Sequence, residues 1–113
     1  MAEIVFHYTS CHGAQEIAIS GVIKLNSERK AYFTDDTYSR GVEAARRLAI
    51  PGKPVEIVFA VEEARVAGLT APRPVGPYIG PDGKNLRDGG GTERWTVQDV
   101  PAQNVAGWTL STL

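Results

Sequence analysis

Three side chains in this 113-residue chain combine a reactive type with a telling position. Glu93 follows Gly89-Gly90-Gly91-Thr92 and enters an apparent strand through Arg94 and Trp95. Three consecutive glycines have high conformational freedom and no side-chain bulk, so a ligand or a moving loop can approach the backbone closely. A single acid beside such a hinge is a catalytic candidate. His7 sits in Phe6-His7-Tyr8-Thr9 and Tyr32 in Ala31-Tyr32-Phe33-Thr34-Asp35, both strand-like runs. Each residue alone has an ordinary structural reading: a solvated strand acid, a hydrogen-bonded strand histidine, an amphipathic core tyrosine. Only their combination, in the order His, Tyr, Glu, points to chemistry.

The elements that must carry these residues follow from periodicity. Ile4, Phe6 and Tyr8 alternate with Val5 and His7 over Glu3 to Thr9, which predicts a strand. Ser10 is suited to cap a helix over Gly13 to Ser20, and Gly21 to end it with a left-handed residue. Brief strands are expected at Val22 to Leu25 and Ala31 to Thr34, around a polar turn at Asn26 to Arg29. Thr37 or Ser39 is the candidate cap of a second helix, Arg40 to Leu48, with Val42, Ala45, Leu48 and Ala49 on its apolar face and Arg46 and Arg47 solvated. Pro51-Gly52-Lys53-Pro54 is a turn. Pro54 to Val61, with Val55, Ile57, Phe59 and Val61 on one face, reads as a central strand. Glu62 to Gly68 suits one helical turn or a short helix. Thr70 to Asp88, rich in proline and glycine, reads as a long loop of the kind often used for binding. Strands at Thr92 to Gln98 and Val105 to Leu110, with Asp99-Val100-Pro101-Ala102 as a turn between them, complete the chain; Trp95 and Trp108 are expected in the core.

Composition bounds the rest. The length suits one domain, 1–113, of α+β or mainly β type. Hydrophobic and charged fractions of 42% and 22% are those of a soluble globular domain, and no apolar run approaches the roughly 20 residues that a membrane span needs. A net charge of -1 argues against a protein that holds nucleic acid by bulk electrostatics. The single cysteine, Cys11, excludes an internal disulfide and a multi-cysteine zinc site.

The His7, Tyr32 and Glu93 segments, the helix ending at Ser20-Gly21 and the closing Val100-Pro101-Ala102 together resemble the bacterial ADP-ribosyltransferase toxin domains over nearly the whole chain. Within that superfamily the chain looks most like the TreTu-type toxins, which carry the histidine-tyrosine-glutamate signature of the diphtheria-toxin-like branch, are commonly delivered by interbacterial secretion systems and modify elongation factor Tu. The resemblance implies a small α+β fold of two packed, mostly antiparallel sheets with two short helices and an NAD cleft between the sheets. NAD is then a co-substrate and no metal is required. Glu93 is implied as the catalytic carboxylate, stabilising the oxocarbenium-like ribose and holding one of its hydroxyls. His7 is implied to bond a ribose hydroxyl, the Tyr8 backbone the nicotinamide amide, and Tyr32 to stack on the nicotinamide ring. Thr9 and Thr92 are candidates for further hydroxyl contacts. Where the diphtheria-like pattern has a second aromatic, a few helical turns beyond the first tyrosine, this chain has Val42 and Glu43; Tyr38 and Tyr78 are the alternatives, with Tyr38 favoured.

The expected activity is transfer of ADP-ribose to a target-cell macromolecule, with elongation factor Tu the suspected acceptor and a nucleic-acid acceptor less favoured. The resemblance also implies a secreted effector acting in the cytoplasm of a target bacterium, the C-terminal toxin segment of a larger polypeptide, and a cognate immunity protein. The alternatives are an NAD glycohydrolase, with water as acceptor, and a non-catalytic protein-binding module in which the three residues are structural. Arg73, Arg87 and Arg94 are either solvated or in contact with diphosphate or target. The geometric discriminator is whether His7, Tyr32 and Glu93 line one cleft.

Overall fold

The structure, a computed structural model, describes residues 3–50, 54–80, 86–101 and 105–110, with 86 and 105–110 described by their backbone alone. The turn expected at Pro51-Gly52-Lys53 and the core position expected for the Trp108 side chain lie outside the described residues.

Alternation of β-branched and aromatic residues builds β1 (Ile4–Thr9) and β4 (Ile57–Glu62), which pair antiparallel with His7 opposite Phe59. β4 takes β10 (Val105–Leu110) on its other edge, which makes it the central strand of a three-stranded sheet. Its alternate residues Ile57, Phe59 and Val61 are buried with Val5, Ile17, Ile23, Phe33 and Val100 in the main core. A second antiparallel sheet has the order β3-β8-β5: β3 (Ala31–Phe33) and β5 (Arg73–Pro74) flank β8 (Thr92–Thr96). Two-stranded pieces pair β2 (Val22–Ile23) with β9 (Val100–Pro101) and β6 (Tyr78–Ile79) with β7 (Leu86–Arg87). Two α-helices complete the described residues, so the chain is α+β with small antiparallel sheets.

α1 spans Cys11–Ser20. Its ends obey the capping chemistry read from the sequence: the Ser10 hydroxyl accepts the Gly13 N–H at 3.0 Å, and Gly21 adopts φ 76° while its N–H reaches the Ile17 carbonyl. α2 spans Gly41–Arg47, and here neither Thr37 nor Ser39 caps the helix; Arg40 is the N-cap and makes no side-chain cap bond. Of the expected apolar face, Ala45 and Leu48 pack against the cluster of Tyr8, Ala44 and Val55, whereas Val42 departs from it. Gly41 and Ala44 point inward and Val42 is 55% exposed, because the helix packs through small residues against Tyr8 and Val55.

Three other expectations are corrected. Val100–Pro101 is a strand partner of Val22–Ile23 and not a turn. The stretch from Thr70 to Asp88 contains β5, β6 and β7 and is not a structureless loop. Trp95 is only partly buried, because inward-facing positions on β8 belong to Arg94 and Thr96. Arg94 is 8% exposed; its guanidinium bonds Asp35 at 3.1 Å and Glu63, and its Nε–H donates to the Thr70 carbonyl at 2.8 Å. It therefore ties β8 to the segments on either side and is not solvated. No helix among the described residues is long and apolar enough to cross a membrane.

Candidate functional site

The site begins where two strands part. The Phe6 N–H donates to the Thr34 carbonyl at 2.8 Å, and the Thr34 N–H returns to Phe6 at 2.9 Å, an isolated bridge that joins the two larger sheets at one point. Strand backbones alternate in direction, so the Tyr8 N–H and C=O point toward the same edge as those of Phe6, while Thr9 faces β4, its carbonyl accepting the Glu56 N–H at 3.0 Å. Beyond the bridge β3 belongs to the other sheet, and a cleft of about 580 Å³ opens between them. His7, Tyr8, Tyr32, Thr34, Tyr78 and Glu93 are among its lining residues. The three residues separated by the whole chain in sequence thus share one cleft, of a size ordinary for a small-molecule site.

The His7 ring is fixed by its Nδ1, 2.8 Å from the Tyr32 carbonyl. A carbonyl oxygen only accepts, so Nδ1 carries the proton and Nε2 of the neutral ring is left as an acceptor. Burial pushes the His7 pKa below its ordinary 6.5, and the bond to Tyr32, acting the other way, does not cancel that. In the window between the lowered value and 6.5, the unfolded chain takes up a proton that the folded chain does not. His7 therefore costs stability as pH falls through 6.5 toward the lower value and has no such effect above 6.5. Urea denaturation at a series of pH values should show the midpoint of the wild type falling more steeply in that window than that of His7→Asn, which keeps a donor near Nδ1 but does not titrate.

Glu93 is held from two sides. Its side chain is 20% exposed, and Oε1 lies 3.8 Å from Nε of Arg73, the residue directly opposite it in the β5–β8 pair. Its backbone position is set by Asp36, whose Oδ2 accepts the Thr92 N–H at 2.7 Å, the Thr92 hydroxyl at 3.1 Å, the Thr34 hydroxyl at 3.2 Å and the Tyr38 hydroxyl at 3.2 Å. One carboxylate oxygen with four donors pins the start of β8 to the end of β3. Burial, and next the charge of Asp36, push the Tyr38 pKa up to about 12, so the phenol remains a donor. Burial first, then the charges of Glu28 and Glu93, raise the Tyr32 pKa against the opposing influence of Arg73. The Tyr32 phenol and the Glu93 carboxylate are thus electrostatic neighbours.

The glycines preceding Glu93 do not form a free hinge. Gly89 and Gly91 are buried; their N–H groups donate to the Arg46 and Arg47 carbonyls at 3.0 and 3.1 Å, and Gly90 donates to Val75 at 3.0 Å. They close the end of α2, whose last carbonyls would otherwise lack partners. Close approach is the reason for glycine here, but what approaches is the chain itself: Val75, Gly76 and the end of α2.

No protein-family model, curated protein or solved structure matches the chain. His7, Tyr8, Tyr32 and Glu93 come together. Thr9 and Tyr38 are not among the residues lining the cleft: Thr9 packs its hydroxyl against Gly13 at the start of α1, and Tyr38 packs edge-on to Tyr8 at 5.7 Å with its hydroxyl on Asp36. Of the two candidates for the second aromatic, Tyr78 lines the cleft and Tyr38, the favoured one, does not. The Thr92 hydroxyl is likewise engaged by Asp36. Arg87 donates to the Ile50 carbonyl at 3.3 Å, and Arg46, half exposed as expected, pairs with the exposed Asp88 at 3.2 Å. Sequence reasoning missed Asp36; the donor that ties it to β8, the Thr92 N–H, comes from 56 positions away and leaves no local signal. Among the described residues no group of three or more His, Cys, Asp or Glu side chains is placed to hold a metal ion.

Proposed function

We propose that the protein is a mono-ADP-ribosyltransferase toxin that takes ADP-ribose from NAD and transfers it to a macromolecule of a target bacterium, elongation factor Tu being the acceptor to test first. The observation that carries this reading is the gathering of His7, Tyr32 and Glu93 on one cleft between two sheets. The fold itself is read as a small ADP-ribosyltransferase-like one on the same ground, the parting of β1 and β3 beyond the Phe6–Thr34 bridge.

In the reaction the bond between the nicotinamide nitrogen and the ribose carbon breaks. Its electron pair leaves with nicotinamide, which becomes neutral, and the ribose carbon develops positive charge until a nucleophile of the acceptor attacks and gives up its proton. Glu93 supplies the negative charge that stabilises this centre, with carboxylate oxygens suited to accept from a ribose hydroxyl. His7 Nε2, unprotonated because Nδ1 is committed to Tyr32, accepts from a second hydroxyl. The outward N–H and C=O of Tyr8 match the two halves of a carboxamide, and the rings of Tyr32 and Tyr78 offer faces for a flat heterocycle. Lys24 and Lys30, also in the lining, add positive charge suited to a diphosphate. A producing cell would need an immunity protein, for which the cleft mouth is the natural target.

The test is intact mass of purified elongation factor Tu after incubation with NAD and protein, alongside nicotinamide release. An ADP-ribose adduct establishes both reaction and acceptor. Release without an adduct points to water or another acceptor, which is the glycohydrolase reading. Neither binding nor turnover of NAD points to a non-catalytic interaction module.

A further inference from the structure

We infer that Arg73 is a positioning residue for Glu93 and that the ring of Trp95 is the seat that holds it in place; the inference rests on Glu93 being the catalytic carboxylate. Register puts Arg73 directly across from Glu93, and Trp95, two residues further along β8, shares the Glu93 face. The Arg73 guanidinium carbon lies 4.2 Å from the centre of the Trp95 ring, over which Lys30 Nζ also lies at 4.8 Å. Arg73 is 54% exposed, so solvent alone would leave so long a side chain many rotamers; strand pairing and the indole face limit them.

The separation decides what this pair can do. At 3.8 Å, Arg73 Nε is beyond hydrogen-bond reach of Glu93 Oε1, and among the described residues no donor bonds the Glu93 carboxylate. The cation therefore orients the carboxylate without occupying the lone pairs that a substrate hydroxyl would need. A half-exposed ion pair of this kind contributes little to folding. Its effect belongs in the rate, through the placement of a charge that acts in the transition state.

The experiment is steady-state nicotinamide release by the full chain and by Arg73→Ala, Arg73→Lys, Trp95→Leu and the Arg73→Ala/Trp95→Leu double variant, with Glu93→Gln as control. Arg73→Ala is expected to lower kcat by roughly 10- to 100-fold with KM changed less than about twofold and the melting temperature nearly unchanged. Arg73→Lys should fall between wild type and Arg73→Ala, and added guanidinium ion should restore part of the Arg73→Ala rate but none of the Glu93→Gln rate. Trp95→Leu should lower kcat in the same sense, and the double variant should lose less than the product of the two single losses, the sign of a shared element. An unchanged kcat in Arg73→Ala overturns the inference. So does a rise in KM alone, which would make Arg73 a substrate contact, or a failure of both lysine and guanidinium to restore any rate. If wild type turns over and Glu93→Gln does not, while Arg73→Ala matches wild type, this inference alone fails. If wild type does not turn over NAD, the assignment of Glu93 fails and takes this inference with it.

Discussion

Replacing Glu93 by glutamine should lower nicotinamide release by about a thousandfold while leaving NAD binding within a fewfold of wild type. The carboxamide has nearly the shape of the carboxylate and can still accept a hydrogen bond from a hydroxyl, so the bound substrate loses little. What disappears is the negative charge, which matters only as the ribose becomes positive. Stability should barely move, because the partner that Glu93 loses, Arg73, is more than half exposed, and such pairs contribute about 1 kcal/mol or less. Nicotinamide release, NAD titration and thermal melting on the same preparation separate the three effects. Equal release by the two proteins would remove Glu93 from the chemistry, and parallel losses of release and binding would make it a binding residue.

The second large effect is expected at Gly89, on stability. It has φ 74°, and a Cβ there would lie 2.6 Å from the Val75 carbonyl oxygen and 2.7 Å from that of Gly76, both backbone atoms that cannot swing aside. Left-handed backbone at a non-glycine residue costs about 1 kcal/mol and overpacking a further 1–3 kcal/mol, so Gly89→Ala should destabilise by about 3 kcal/mol and lower the melting temperature by on the order of 10 °C. Gly21→Ala is the control. Gly21 has nearly the same φ, 76°, but nothing within 4 Å of a Cβ, so it should show only the conformational cost of about 1 kcal/mol. Equal melting temperatures for the two variants would mean that the glycine run yields, as a hinge would.

That contrast shows where local information ends. Glycine in sequence reports freedom from a side chain, and the reason for that freedom is a neighbour. At Gly21 the reason is local, the end of α1, and it was legible beside the apolar stripe of the helix. At Gly89 to Gly91 the reason is the close passage of Val75 and the end of α2. The same three letters therefore suggested mobility where the fold has packing.

The sequence by itself determined the elements whose causes lie within a few residues. Period-two alternation marked β1, β4 and β8, and the apolar face of Val55, Ile57, Phe59 and Val61 marked β4 as a central strand. Ser10 and Gly21 bounded α1 because capping needs only the adjacent backbone. The order His7, Tyr32, Glu93 was visible as well, though order alone does not bring side chains together. Tertiary structure decided the rest. It put the three on one cleft through a single bridge between Phe6 and Thr34. It turned Val100–Pro101 from a turn into a strand by supplying Val22–Ile23 as partner, since pairing between distant segments has no local signature. It sank Arg94 between Asp35 and Glu63 and left Trp95 only partly buried under two cations, an inversion of what residue type predicts, because a buried charge is tolerated only where partners converge from elsewhere in the chain. Tyr78 came to the cleft and Tyr38 to Asp36 for the same reason: both tyrosines are aromatic, and only the path of the backbone settles what each ring faces.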